Sequence, residues 1–226
     1  MTRPQTQLSH VEHREALIEA AQELVRAQVM SHTGHINIST RVGTERMLLS
    51  STGLVTELRP DSLAVLYLDG TVEHGQLSAS TQEIVGMHTV VYRARPHLGA
   101  VVHTHSPHVT AFALAHHPLP CRYEALLRHG QTEPVPVVAW APRGSDASVH
   151  AIAEAFDDHP GSLAVLLANH GVLVGGRSPM AAAKLLMVLE EAAEAELRAQ
   201  AIGGARDLPP TAGADVRRSM GQTAHD

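Results

Sequence analysis

The stretch from residue 36 to residue 70 constrains the fold most, because short apolar segments alternate there with turn residues. Each segment has the composition of a β-strand and is bounded by glycine, proline or aspartate: the segments are 36–41, 46–50 and 63–68, and the turns lie at Gly43, Gly53, Pro60-Asp61 and Asp69-Gly70. A tight connection such as the one at Gly43 joins antiparallel strands. The sequence therefore predicts a sheet with antiparallel strand pairs.

Helical periodicity flanks these strands. Leu17 and Leu24, with alanines between them, recur at three- and four-residue steps and predict an amphipathic helix over 13–30. A second helix is predicted over 80–95, with Ser80 and Thr81 as candidate N-caps. The later pattern predicts strands over 99–104, 135–140, 163–168 and 171–175, and helices over 107–115, 145–156 and 179–202. This alternation places the chain in the α/β class.

The length of 226 residues fits one domain of ordinary size. We assign that domain to 13–204, with a flexible N-terminus over 1–12 and a C-terminal tail over 205–226. Since only two Phe, one Trp and three Tyr are present, the core is expected to consist mainly of Ala, Val and Leu. The tail has few large apolar residues after Arg206 and is predicted to be mobile unless a partner orders it.

The composition argues against several classes of partner. A net charge of −6 with scattered Lys and Arg provides no basic stripe for nucleic acid or for an anionic membrane. The first ten residues lack the apolar core of a signal peptide, and no run is long enough for a membrane span. Cys121 is the only cysteine, so no intramolecular disulfide and no thiolate-rich metal site can form. We expect a cytoplasmic protein whose partner is a small-molecule substrate.

Two histidines stand at alternate positions of one predicted strand. His103 and His105 would share a face of an extended segment, so both could reach one ion. With 17 histidines in the chain, a His-x-His also arises by chance, and a pair of surface or core histidines explains it equally well. His170 follows another apolar strand in the same way, with Gly171 allowing a sharp turn. Three imidazoles with one open position are typical of a catalytic zinc.

The order of several motifs resembles the class II aldolase and adducin family, over roughly residues 15–200. The carriers are Asn37-Ile38-Ser39-x-Arg41, Ser50-Ser51-Thr52-Gly53, Glu83 with Met87-His88, Tyr92-Arg93-Ala94-Arg95-Pro96, Val102-His103-Thr104-His105-Ser106 and Asn169-His170-Gly171. The resemblance implies a single-domain three-layer α/β/α sandwich with a central, mainly antiparallel sheet. It also implies homo-oligomers, with a tetramer favoured.

The resemblance assigns His103, His105 and His170 as ligands of a divalent ion, Zn²⁺ or another such as Mn²⁺ or Co²⁺. Glu83 matches the acidic residue that serves as a ligand and as the acid/base. The implied activity is a carbon–carbon lyase, most simply aldol cleavage of a sugar phosphate or a related hydroxy-ketone through a metal-stabilised enediolate. Alternatively, Glu83 is an exposed residue in the first turn of a helix, where the helix dipole favours a carboxylate.

The substrate side of the implied site is less regular. Asn37, Thr52 and Gly53 fall where the family binds phosphate, although such residues are also ordinary turn formers. Ile36 and Ser51 replace a glycine and a proline of the family pattern, and Glu83 is five residues from His88 where the sugar-phosphate aldolases have four. His35 adds a polar group near the expected anion pocket, or it is a turn histidine without a role. Tyr123 resembles a tyrosine that one aldolase donates across a subunit boundary.

These departures leave other functions open. Some relatives use the same three histidines to decarboxylate hydroxylated aromatic or keto acids. His88 is left out of the site in every case, because it resembles a family histidine that supports packing. A non-catalytic adducin-like domain would be expected to lose the histidines, and a metal-storage or structural-zinc protein would need no open position. All three histidines and Glu83 are present, which favours an enzyme.

Overall fold

A computed structural model describes residues 10–221, and its centre is one eight-stranded sheet. The strands are β1 (Ile36–Val42), β2 (Arg46–Ser50), β3 (Leu63–Tyr67), β4 (Val72–His74), β5 (Ala100–Thr104), β6 (Val137–Val138), β7 (Ala164–Leu167) and β8 (Gly171–Gly176). Their order across the sheet is β4-β3-β2-β1-β5-β8-β7-β6. All neighbouring pairs are antiparallel except β6 and β7, which confirms the predicted antiparallel character.

Helices cover both faces of the sheet. They are α1 (Val11–Arg26), α2 (Ala79–Gln82), α3 (Val85–Ala94), α4 (Pro107–Leu114), α5 (Glu124–Arg128), α6 (Asp146–Asp158), α7 (Pro179–Ala199) and α8 (Ala212–Ser219). The core has two parts: α1, α4 and α7 pack on one face, and α3 and α6 pack on the other. Alternation along β5 supplies both parts, since Val102 faces the first and Val101 the second. The three-layer α/β/α sandwich is therefore confirmed.

The predicted helix over 80–95 is divided in two. Ser78, rather than Ser80 or Thr81, is the N-cap, and its hydroxyl accepts a hydrogen bond from the Thr81 backbone N–H. Between α2 and α3 the ladder tightens to three-residue hydrogen bonds, from Ile84 N to Thr81 O and from Met87 N to Ile84 O, each 3.1 Å. Glu83 therefore lies at the break between α2 and α3, and the prediction of one continuous helix over 80–95 is wrong.

The predicted strand over 135–140 pairs only at β6. Pro136 has no N–H to donate to a ladder, and Val135 forms an isolated bridge with Leu119 instead. The first helix also ends earlier than predicted, at Arg26, because Gln28 adopts a left-handed φ of 58°. No helix among residues 10–221 is long and apolar enough to cross a membrane.

The ends of the chain differ from the predicted boundaries. Residues 1–9 of the predicted flexible N-terminus lie outside the described residues, while Val11 and Glu12 already belong to α1. The predicted mobile tail contains α8, which packs against α5 with Val216 buried. This helix was not predicted, because one buried valine in a polar segment gives no hydrophobic periodicity.

Candidate metal centre

The end of β5 forms the base of the site. His103 is fully buried on this strand, opposite Asn37 on β1 and Leu173 on β8. Its Nδ1–H donates a 3.0 Å hydrogen bond to the backbone carbonyl of Val172, which leaves Nε2 as the free acceptor nitrogen. The ring of His105, two residues on, lies 5.2 Å away between centroids. The predicted shared face of the two histidines is therefore observed.

His170 approaches from the turn between β7 and β8. Asn169 carries the left-handed φ of 58° that reverses the chain, and its Oδ1 accepts a 2.7 Å hydrogen bond from His116 Nε2. The His170 ring centroid lies 4.7 Å from that of His103 and 5.0 Å from that of His105. The structure thus brings together the three histidines that the sequence selected.

The glycine after His170 has a different role from the predicted one. A Cβ at Gly171 would lie 2.5 Å from the Thr104 carbonyl oxygen and 2.7 Å from His105 Cδ2. The turn itself is made by Asn169, so Gly171 is needed because β8 passes close to β5 beside the imidazoles. The close contact of Gly171 with Thr104 and His105 therefore sets the distance between the end of β5 and the turn that carries His170.

His35 adds a fourth imidazole. Its ring stacks on His105 at 4.5 Å and lies 5.6 Å from His103. Possible ligand atoms of His35, His103 and His105 all lie within 4.8 Å of one another. The prediction was different, with His170 as the third ligand and His35 as a substrate-binding residue. His35 Nε2, however, accepts a 3.1 Å hydrogen bond from Asn37 Nδ2, so this nitrogen is already occupied.

Burial keeps these imidazoles neutral. It places the pKa of His103 well below the ordinary value, with further lowering from His170, His105 and His35. The pKa of His105 is lowered to about 4, first by burial and then by His35, His170 and Arg143. Burial, followed by the charge of Arg143, also lowers the pKa of His35 and of His170. All four rings are therefore neutral near pH 7, and those of His103 and His105 have an Nε2 lone pair free to bind an ion.

The unpartnered nitrogens provide a direct test of whether the residues fit a metal ion. His103 Nε2 and His105 Nε2 are buried and have no hydrogen-bond partner among the described residues. A buried polar atom without a partner is costly unless a ligand satisfies it. Neutral imidazoles with inward-facing nitrogens are typical ligands of zinc, so the donor set fits a divalent ion.

Glu83 was predicted as a further ligand and as the acid/base. Its carboxylate is absent from the group of ligand atoms found within residues 10–221. It pairs instead with Arg143, whose Nε and Nη2 donate to Glu83 Oε2 at 2.8 and 2.5 Å. Arg143 was not predicted, because a single arginine in a Pro-Arg-Gly turn forms no recognisable sequence pattern.

The predicted substrate residues divide into those at the cluster and those near it. Asn37 is buried and bonds to His35, while an added Cβ at Gly53 would lie 3.3 Å from His35 Cε1. The Gly53 carbonyl accepts from the Ile36 N–H, which ties the loop to β1. The Thr52 hydroxyl reaches only the Leu54 carbonyl of its own loop, at 3.5 Å.

Tyr123 is not brought to the histidines. It is 42% exposed and lies immediately before α5, where its carbonyl accepts from the Leu126 N–H. No contact between Tyr123 and the imidazoles occurs among the described residues of this single chain. Its predicted role as a proton donor stays a prediction.

His88 lies in the core and not in the cluster. Its Nδ1 is 2.8 Å from the Ser39 hydroxyl, which also lies 2.8 Å from the Tyr92 hydroxyl. Complete burial lowers the pKa of His88 to about 3. These contacts agree with the interpretation of His88 as packing support.

Comparisons with known proteins support the motif reading. Residues 15–197 match the family model described as the Class II Aldolase and Adducin N-terminal domain. A 5-methylthioribulose-1-phosphate/5-deoxyribulose-1-phosphate aldolase of Rhodospirillum rubrum is 31% identical over 203 residues, covering 89% of this chain and 87% of that protein. A 5-deoxy-D-ribulose 1-phosphate aldolase of Bacillus thuringiensis is 29% identical, over 87% of this chain and 89% of that protein.

Solved structures have the same architecture. An L-fuculose 1-phosphate aldolase superposes with a TM-score of 0.82 at 23% identity, covering 96% of this chain and 99% of that chain. The YgbL protein of Klebsiella pneumoniae, whose description leaves aldolase, epimerase and decarboxylase open, superposes with a TM-score of 0.77 at 26% identity, covering 91% and 98%.

Proposed function

Since the chain belongs to the class II aldolase and adducin family, we propose that it is a metal-dependent lyase that cleaves a phosphorylated ketose by aldol chemistry. The observation that carries the proposal is the convergence of the neutral imidazoles of His103, His105 and His170, with the buried Nε2 atoms of His103 and His105 unpartnered among residues 10–221. Aldolases that act on ribulose 1-phosphate derivatives are similar to this chain over most of its length. Metal-dependent aldol cleavage is the function that both lines of argument support.

His103, His105 and His170 are the proposed ligands, and Zn²⁺ is the proposed ion, with Mn²⁺ or Co²⁺ as alternatives. The unpartnered Nε2 atoms of His103 and His105 support this choice, as does the position of His170 beside both rings. When bound, such an ion supplies a Lewis acid that polarises a substrate carbonyl. His35, whose Nε2 is held by Asn37, would face the substrate from the side of β1.

Glu83 is the proposed acid/base. Aldol cleavage requires removal of a proton from the hydroxyl next to the breaking bond and delivery of a proton to the departing carbon fragment. Glu83 Oε1 lies outside the pair with Arg143, so this oxygen is available to accept and return a proton. The carboxylate has a second possible role as a metal ligand, which requires it to leave Arg143.

The loop at Thr52 and Gly53, together with Asn37, is the proposed phosphate side of the site. Gly53 packs on the edge of the His35 ring, which places the backbone of this loop beside the imidazole cluster, and backbone N–H groups of such a turn can bind an anion. The hydroxyl of Thr52 is engaged only within its loop and is available to a ligand. A phosphate bound here would lie beside the imidazole cluster.

Tyr123 is proposed to act on a neighbouring subunit of a homo-oligomer, with a tetramer as the first expectation. Its exposure, and that of Trp140, Leu114 and Ile202, supports an interface between copies. Multi-angle light scattering gives the oligomeric state directly. In such an assembly, Tyr123→Phe lowers kcat without affecting metal content, whereas an unchanged kcat removes Tyr123 from the mechanism.

A substrate panel tests the proposed reaction. Zn²⁺-loaded protein is incubated with ketose 1-phosphates, with the unphosphorylated ketoses and with hydroxylated aromatic acids. We expect dihydroxyacetone phosphate and an aldehyde from a ketose 1-phosphate, with Glu83→Gln inactive. Release of CO₂ without aldehyde would replace aldol cleavage by decarboxylation. Absence of any turnover in metal-loaded protein would favour a non-catalytic, adducin-like domain.

A further inference from the structure

Arg143 occupies a position at the mouth of the histidine cluster that the proposed mechanism leaves unexplained. It lies in the turn between β6 and α6 and lines a small cavity together with His170 and Trp140. The lining of that cavity places the Arg143 side chain beside His170, one of the proposed ligands. A fixed positive charge beside a cation site is unfavourable unless it has a partner.

Glu83 is that partner, and the backbone holds the two residues together. Both hydrogen bonds from Arg143 go to Glu83 Oε2 and leave Oε1 outside the pair. Gly144, next to Arg143, packs so closely that a Cβ there would lie 1.8 Å from the Glu83 carbonyl oxygen. The turn of Arg143 and the break between α2 and α3 are therefore one packed unit.

We propose that Arg143 is the positioning residue for Glu83, holding its carboxylate beside the histidine centre and out of the ligand set. This inference rests on the proposed role of Glu83 as acid/base. A carboxylate near a divalent ion tends to bind it, and a bound carboxylate is a weaker base because the ion's charge lowers its pKa. Arg143 occupies one carboxylate oxygen and leaves the other for proton transfer.

The strength of the pair suits such a role. The Glu83 side chain is 51% exposed and that of Arg143 is 36% exposed. An ion pair open to water stabilises weakly, so the carboxylate can be held in place and still exchange during turnover.

The release rate of Zn²⁺ tests this inference independently of activity. Arg143→Met frees Glu83 to enter the ligand set, so Zn²⁺ transfer to an excess of chelator should slow about three- to tenfold. In a Glu83→Gln background the same substitution should change release less than twofold. Slowing of equal size in both backgrounds would show a simple charge effect and overturn the inference, as would an unchanged release rate in Arg143→Met.

Kinetics with the ketose 1-phosphate that turns over supply a second readout. Arg143→Met should lower kcat about tenfold with KM changed less than threefold, and Arg143→Lys should restore part of kcat. Arg46→Met is the matched control, because Arg46 makes a similar two-bond pair with Glu73 near the far edge of the sheet. A rise in KM with unchanged kcat would make Arg143 a substrate-binding residue and contradict the inference.

The outcomes separate this inference from the proposed function. Protein that binds Zn²⁺ but turns over no substrate overturns the function alone, since the release rates still report on Arg143 and Glu83. Wild-type protein that binds no Zn²⁺ overturns both. Thermal unfolding by circular dichroism verifies that each variant is folded before its release rate is interpreted.

Discussion

Two regions on the same face of the sheet contain buried histidines, and they differ in one respect. His88 and His103 are both fully buried, and each has one ring nitrogen hydrogen-bonded and an Nε2 that has no partner within the described part of the chain. The partner of His88 is a hydroxyl in a closed set with Ser39 and Tyr92. His103 instead stands within 5.6 Å, between ring centroids, of three further imidazoles.

Burial and an unpartnered ring nitrogen do not identify a metal site by themselves, since His88 has both. Several neutral rings that converge on one point do, because one ion can satisfy them together. A single buried histidine is explained by packing. Convergence arises here from three separate segments, the end of β5, the turn at Asn169 and the start of β1.

Removal of one converging ring should have the largest effect. His105→Ala is expected to lower kcat/KM for the substrate about 10³-fold, because loss of the Lewis acid removes several kcal/mol of transition-state stabilisation. His88→Gln should change it less than about threefold. A similar loss in both variants, measured on folded protein, would erase the distinction between the two regions.

Gly171→Ala should have the next largest effect. The added methyl group meets a backbone carbonyl at Thr104, which cannot rotate away, and the ring of His105. We expect a loss of about 1–3 kcal/mol in the free energy of unfolding of metal-free protein, measured with urea, and weaker Zn²⁺ binding.

Gly213→Ala in α8 is the control for that substitution. Its added Cβ would meet only the end of the Arg217 side chain, at 3.7 Å. Because alanine favours a helix over glycine, the free energy of unfolding should stay the same or rise by up to about 1 kcal/mol. Equal destabilisation by both substitutions would mean that the approach of β8 to His105 is not tightly constrained.

The fold is more predictable from sequence than the site. The strands around β1 and β2 are predictable because short apolar segments alternate there with turn residues. The break at Glu83 depends instead on packing between distant segments. Likewise, α8 is stabilised by its contact with α5 and by one buried residue, Val216. Local patterns do not carry such long-range contacts.

Within the site, the histidines were predictable because a strand end positions each of them. Arg143 was not, since its importance comes from a 2.5 Å contact with a residue 60 positions away. His35 was noticed, but its stacking on His105 follows from the pairing of β1 with β5. Sheet order, which the sequence does not reveal, decides which turns meet.

His88 should make the free energy of unfolding depend on pH, an effect smaller than those of His105→Ala and Gly171→Ala. Its pKa of about 3 in the folded protein lies below the ordinary 6.5, so the unfolded chain binds the extra proton between these values. His88 therefore costs no stability above pH 6.5, and stability is lost as the pH falls from 6.5 towards 3, by about 1.4 kcal/mol per pH unit.

Urea denaturation of metal-free protein at pH 6 and pH 5 measures this slope. His88→Gln, which does not titrate, should reduce the slope by about 1.4 kcal/mol per pH unit. An identical slope in wild type and variant would show that His88 is not buried in its neutral form.

Asn37→Leu should have the smallest effect. It removes the hydrogen bond that orients His35, and one such bond contributes about 1 kcal/mol, or roughly fivefold in an equilibrium constant. We expect Zn²⁺ affinity to fall by no more than that factor.

Thr52→Ala should leave Zn²⁺ affinity unchanged and raise KM for a phosphorylated substrate. A loss of Zn²⁺ in this variant would contradict the separation of the metal side of the site from the phosphate side.

Converging imidazoles, rather than buried histidines in general, are proposed to hold a divalent ion. Elemental analysis after dialysis against buffered Zn²⁺ tests it most directly, with wild type, His103→Ala and His88→Gln treated in parallel. We expect about one ion per chain in wild type and in His88→Gln, and less than about one tenth of an ion per chain in His103→Ala. Equal metal content in wild type and His103→Ala would contradict it.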